Sequence, residues 1–205
     1  MNQTISYYEE HAVEFCRSTL NADMTYCRER FLKYLNPGSC ILDAGCGSGR
    51  DSKAFADLGY HVTAMDASPK ICAEAEKVLG QKVLCQSFEE LDMVDMFDGI
   101  WACASLLHVP KEKILDVLLR LKHALKEDGI LYASFKYGDG EVVRKGRYFC
   151  NYNERSLEKL IQDAGFEILE LFVTEDVRED RNGEKWVNVI GKVLRLRLEK
   201  INNNE

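Results

Sequence analysis

The sequence predicts an α/β fold: a doubly wound, seven-stranded, mostly parallel sheet with an antiparallel edge strand and an N-terminal helical lid. Three observations predict it. From residue 40 onward, short apolar runs alternate with helical stretches, the rhythm of a parallel sheet with helices on both faces. A glycine-rich turn, Gly45-Cys46-Gly47-Ser48-Gly49, directly follows the first apolar run. Two late apolar runs have no helix between them, which pairs them as antiparallel neighbours.

Residues 5–35 read as one or two helices that end at the turn signal Asn36-Pro37-Gly38. Cys40 to Ala44 is a short apolar strand, and Asp51 to Leu58 a helix stopped by Gly59. His61 to Met65 is the second strand. Ser68-Pro69 supplies an N-cap and a first-turn proline for a helix to Leu79, closed by Gly80. Lys82 to Cys85 is a third strand and Asp98 to Ala104 a fourth. In residues 111–125, Ile114, Leu115, Leu118, Leu121 and Leu125 share one helical face. Ile130 to Phe135 is a fifth strand. Asn153 caps a helix to Ala164, closed by Gly165. Phe166 to Thr174 and Trp186 to Val193 are the late strands, joined by a charged loop around Asn182-Gly183.

A chain of 205 residues suits one domain with one sizeable core. The expected organisation is a helical cap over 1–37, a cofactor half over 38–135, a substrate-side half over 136–200 and a frayed tail over 201–205. A net charge of −7 argues against unspecific binding to nucleic acid or anionic membrane. No apolar run approaches a membrane span, and the N-terminus has neither a basic nor an apolar leader pattern. The eight cysteines stand singly without a C-x-x-C pair, the pattern of reduced cytoplasmic thiols and not of a zinc site. No metal is expected.

The glycine turn sits where open α/β sheets bind ligands, beyond the carboxyl end of a strand. Asp66 ends the second strand about 20 residues later, and a carboxylate there suits the two hydroxyls of a ribose. Asp43 separates the ligands that use such loops. In a dinucleotide or triphosphate site its charge would repel phosphate. It favours instead the cationic amino-acid portion of S-adenosylmethionine. A triphosphate loop also requires Gly-Lys-Ser/Thr, whereas Gly49 is followed by Arg50-Asp51.

The segments LDAGCGSGR (42–50), VTAMDAS (62–68), CQSFEEL (85–91), FDGIWACASLLHVP (97–110) and LKEDGILYASF (125–135) together resemble a class I S-adenosylmethionine-dependent methyltransferase, of Rossmann-like fold. Within that superfamily the chain resembles the small tellurite-resistance-type and natural-product methyltransferases. The resemblance implies that S-adenosyl-L-methionine is converted to S-adenosyl-L-homocysteine. It implies that Asp43 receives the methionine ammonium, that Gly45, Cys46 and Gly47 lie along the methionine portion, and that Asp66 takes the ribose hydroxyls with Ala67 flooring the adenine. Ser87 and Phe88 would lie along the adenine; the family often has an acidic residue where Ser87 stands. Ala104 and Ser105 would approach the methionine chain, and Arg50 either meets a carboxylate or is an exposed helix residue. His108 is the candidate general base, or else a histidine that bonds the cofactor or the loop. Tyr8 leads the aromatic residues of the lid that would close over the methyl group.

The segment 136–148 carries four basic and two acidic residues in an acidic chain. Arg147 and Arg144, with Tyr137, are the candidates for binding an anionic group on a small-molecule acceptor. DNA is not an expected partner. The place of the Asn/Asp/Ser-Pro-Pro-aromatic tetrapeptide reads Ala104-Ser105-Leu106-Leu107, Cys103 has no preceding proline, and no basic extension exists to grip a duplex. RNA or protein methylation and a non-catalytic cofactor-binding subunit are the alternatives. No membrane association is expected, and the chain is expected to be a monomer or homodimer.

Overall fold

The apolar runs fold into one seven-stranded sheet in the computed structural model, which describes residues 3–178, 181 and 183–194. The elements are α1 (Gln3–Thr19), α2 (Thr25–Leu32), β1 (Cys40–Ala44), α3 (Arg50–Asp57), β2 (His61–Asp66), α4 (Pro69–Leu79), β3 (Leu84–Cys85), β4 (Phe97–Ala102), α5 (Ile114–Ala124), β5 (Leu125–Lys136), β6 (Gly140–Arg144), β7 (Arg147–Asn151), α6 (Glu154–Asp163), β8 (Phe166–Glu175) and β9 (Lys185–Val193). The sheet order is β3-β2-β1-β4-β5-β9-β8. The order reverses between β1 and β4, which opens a crevice at their carboxyl ends.

Both sheet faces are buried, and the strands read accordingly. Ile41, Trp101, Ile130 and Tyr132 pack with Phe31 of α2 and Phe55 of α3 on one face. Their neighbours Leu42, Ile100, Ala102, Leu131 and Ala133 pack with α5 and α6 on the other. Trp101 and Tyr132 stack at 3.9 Å between ring centroids, in the centre of the first face.

The strand running against the rest is β9, antiparallel to both β5 and β8. It lies one place in from the edge. The edge strand β8 is therefore aligned with the parallel set. The chain passes from β5 to β8 through a crossover that includes α6, which keeps the direction, and the connection from β8 to β9 then reverses it. Asn182 and the tail 201–205 lie outside the described residues.

Four segments differ from the sequence expectation. β3 shrinks to two residues because Val83 N–H donates to the Glu76 carboxylate (3.2 Å) instead of to a neighbouring strand. α5 begins at Ile114, after a turn in which Lys113 N–H donates to the Pro110 carbonyl. β5 begins at Leu125, paired with Phe97, five residues before the expected start at Ile130. The segment after β5, expected only as a basic stretch, is a separate two-stranded sheet, β6-β7.

Candidate active site

Beyond the carboxyl ends of β1, β2 and β4 lies a cavity of about 780 Å³. Tyr8, Asp43, Gly45, Cys46, Gly47, Arg50, Asp66, Ala67, Ser87, Phe88, Ala104, His108, Arg144 and Arg147 all line it. Tyr137 does not; it is 42% exposed and its hydroxyl bonds Glu154. The structure therefore leaves Tyr137 outside the group, because the chain turns into β6 just beyond it and the hairpin presents Arg147 instead.

The glycine turn is shaped by the end of β2. Gly45 and Cys46 N–H both donate to the Met65 carbonyl (2.9 and 2.8 Å), and Gly47 N–H donates to Asp66 (3.2 Å). Gly45 takes φ +84°, and a methyl group there would collide with Ser105 Cβ. Asp66 also accepts from Ser68 N–H (3.0 Å). Burial pushes its pKa up to about 6, against the lowering effect of these N–H groups. Asp43 is 3% exposed and accepts from the Ser52 hydroxyl (2.6 Å). Burial, and secondly the Asp51 charge, push its pKa up to about 7. Two carboxyls are thus held in one cavity with too little compensation to ionise readily, the condition of a site built for a cation or for hydroxyl donors.

Burial holds the Cys46 thiol protonated, with Asp43 and Asp66 adding to the effect, so it packs and does not react. Ser87 caps a short turn, donating to Glu90 (2.8 Å), and Phe88 packs beside the glycine turn. Ala104 has φ +52°, costly for a residue with a side chain, and its N–H donates to the Ser134 hydroxyl (2.9 Å). Ser105 donates to the Ala44 carbonyl (2.6 Å), tying β4 to β1 at the cavity floor.

Arg50 is not an exposed helix residue. It binds Asp51 through Nε (3.1 Å) and one Nη (2.6 Å). Asp51 also accepts from Arg28 of α2 (2.8 Å) and from the Trp101 indole (3.0 Å). Burial opposes the Asp51 charge, but Arg50 and Arg28 outweigh it and keep the pKa below the usual range. Sequence reasoning missed this cluster, because an aspartate in a first helical turn reads as a solvated, dipole-compensating residue.

His108 has fixed proton positions. Its Nδ1 lies 2.6 Å from the Tyr148 carbonyl, which can only accept, so Nδ1 carries the proton. Nε2 must then accept from the Tyr8 hydroxyl, 2.8 Å away. Burial lowers the His108 pKa to about 4, so the ring is neutral at physiological pH. Tyr8 joins His108 to α1. That helix is fixed at two further points: Glu9 accepts from Lys70 N–H (2.9 Å) at the start of α4, and Thr4 Oγ1 accepts from Tyr148 N–H (3.0 Å).

The far end of the cavity was not anticipated. There Lys136 binds Asp176 (2.9 Å) and Glu184, and the Trp186 indole donates to Asp176 (3.0 Å). These residues meet only because β5, β8 and β9 are neighbours in the sheet. No described helix is long and apolar enough to cross a membrane, and no metal-holding cluster occurs among the described residues.

Residues 41–129 match the family described as "Methyltransferase domain". The chain is 34% identical over 105 residues to a "Ubiquinone biosynthesis O-methyltransferase" of Xanthomonas campestris pv. campestris, covering 48% of this chain and 43% of that protein. It thus spans less than half the length of the curated relative it matches. Among solved structures it superposes on a 1,6-didemethyltoxoflavin-N1-methyltransferase of Burkholderia thailandensis, crystallised with 1,6-didemethyltoxoflavin and S-adenosylhomocysteine. The TM-score is 0.82 at 22% identity, covering 94% of this chain and 88% of that one. An S-adenosylmethionine-dependent methyltransferase of Methanosarcina mazei gives a TM-score of 0.69 at 25% identity, covering 80% and 96%. Matched domain, sheet order and glycine turn with its two carboxylates agree: residues 41–129 match a methyltransferase domain, set in the sheet that the chain shares with these methyltransferase structures.

Proposed function

We propose that the chain transfers the methyl group of S-adenosyl-L-methionine to a small-molecule acceptor carrying an anionic group, leaving S-adenosyl-L-homocysteine. The observation that carries this reading is the pair Asp43 and Asp66 around the glycine turn, the first buried and the second half-buried, each short of compensation. An ammonium beside Asp43 supplies the missing positive charge. A ribose beside Asp66 supplies hydroxyl donors to a carboxylate that backbone N–H groups already orient. When bound, the cofactor supplies an activated methyl group, so the protein's main task is alignment of the acceptor about 3 Å from it.

The chain's own residues divide that task. The glycine turn lets backbone lie against the methionine portion, and Phe88 flanks it. α1 acts as a lid: Tyr8 and Phe15 line the cavity from above and exclude water. An acceptor that must lose a proton can pass it to Tyr8 as the Tyr8 proton moves to His108 Nε2. The imidazolium so formed keeps its Nδ1–H bond to the Tyr148 carbonyl. Arg144 and Arg147 line the acceptor end and support an anionic acceptor. The Xanthomonas relative is an O-methyltransferase of ubiquinone biosynthesis, which supports small-molecule chemistry.

Two measurements test the proposal. Calorimetry should show binding of S-adenosylhomocysteine and none of NADH, and Asp66→Ala should weaken that binding about ten- to hundredfold through loss of ~1.5–3 kcal/mol of charge-assisted bonding. Methyl-labelled cofactor in a cell extract should place enzyme-dependent label in the acid-soluble pool. Label only in the precipitate means RNA or protein as acceptor; no transfer despite tight binding means a cofactor-binding subunit.

A further inference from the structure

Arg147 differs from the other arginines and lysines deep in the cavity. Arg50 is tied to Asp51, Lys136 to Asp176 and Glu184, and Arg178 to Asp176. Among the described residues Arg147 has no such ion pair, and its Nε is buried without a hydrogen-bond partner. A buried, unpaired N–H on a cation is costly, and folded proteins rarely leave one without a use.

Aromatic rings surround the guanidinium. Its carbon lies 4.6 Å from the Tyr7 centroid, 5.2 Å from Phe149 and 5.9 Å from Tyr8. A guanidinium N–H also bonds the Tyr8 hydroxyl, and this bond and the charge oppose the burial that raises the Tyr8 pKa. Rings attract the cation's face but cannot satisfy the Nε N–H, which bonds only in the guanidinium plane. A ligand must therefore approach that edge with in-plane acceptor oxygens, the geometry of a carboxylate. The surrounding wall is aromatic and neutral: His108 lies 5.0 Å from Phe149 and 5.5 Å from Tyr8, between centroids. One cationic edge balances one negative charge. A dianion would keep a second charge against these rings at a desolvation cost, whereas Arg144 and Lys145 at the hairpin turn are exposed and solvated.

Building on the methyltransferase reading above, we propose that the acceptor is a small flat aromatic acid whose single carboxylate-type anion is held by the Nε edge of Arg147 while its ring packs between Tyr8, His108 and Phe149. Arg147 then selects the substrate and directs which ring position faces the methyl group.

The test uses the whole chain saturated with S-adenosylhomocysteine, titrated with benzoate, its neutral analogue benzamide and the dianionic phenyl phosphate. Benzoate should bind at least about tenfold more tightly than either analogue. Arg147→Met, which keeps a packing stem, should abolish the benzoate preference, leave S-adenosylhomocysteine affinity unchanged and leave the melting temperature unchanged or higher. Arg147→Lys should restore only part of the preference, since it keeps the charge and loses the fork. The inference is overturned if benzoate shows no preference, if phenyl phosphate binds better, or if Arg147→Met leaves benzoate binding intact. It is equally overturned if Arg147→Met weakens S-adenosylhomocysteine in proportion, because Arg147 then holds the cofactor's own carboxylate. Failure of the wild-type chain to bind S-adenosylhomocysteine would instead remove the methyltransferase reading itself.

Discussion

Asp43 and Asp66 set a pH dependence whose direction follows from burial. Folding raises their pKa values to about 7 and about 6, so the folded ligand-free chain holds protons that the unfolded chain releases near pH 4. Their contribution to stability is complete in acid and is lost as pH rises through those values. The ligand-free chain should therefore lose stability between about pH 4 and 7 through these two groups. Cofactor that binds the ionised pair should bind more tightly over the same interval, by up to about tenfold per unit and per proton released. Calorimetry in buffers of different ionisation enthalpy checks this: proton release on binding at about pH 6, fading by about pH 8. The placement of both residues at the cavity was legible in the sequence, because each ends a strand beside the glycine turn. The tautomer of His108 was not legible, since it depends on a carbonyl 40 positions away in β7.

The hairpin β6-β7 shows why one element escaped the sequence reading. Its turn is Lys145-Gly146, with φ +49° and +75°. Two positive φ values are what a two-residue hairpin turn requires, and Asn-Gly is its strong sequence signal. Lysine at the first position hides the turn and strains it. Lys145→Asn should therefore raise stability by roughly 0.5–1 kcal/mol, read as a shift in the denaturant midpoint, without changing cofactor affinity. The helices that begin after Ser68 and Asn153 were legible because their caps act locally. Each side chain accepts from the N–H three residues on, with no help from the rest of the fold. β3 was overestimated because its apolar pattern could not show that Glu76 captures Val83 N–H.

Across the whole molecule, Asp51 joins parts that are remote in sequence. It accepts from α2 through Arg28, from its own neighbour Arg50 in α3 and from Trp101 in β4. Asp51→Ala would leave two largely buried guanidiniums and an indole unpaired, and should cost about 3–5 kcal/mol in equilibrium unfolding. A loss below about 1 kcal/mol would show that the cluster is solvated and contributes little. The mostly parallel sheet was legible from alternating strands and helices, because strands joined by helical crossovers run in one direction. The meeting of Lys136, Asp176 and Trp186 at the cavity's far end was not, because it depends on β9 entering between β5 and β8.

The β6-β7 ladder shares no strand with the seven-stranded sheet. Inheritance can therefore rewrite it without touching the ladders that shape the glycine turn. A lineage under pressure to use a new metabolite has a short cassette to edit, while the glycine turn and its two carboxylates pass on unchanged. On this view the hairpin is the evolvable part of the gene, and kin with unlike diets should diverge there first.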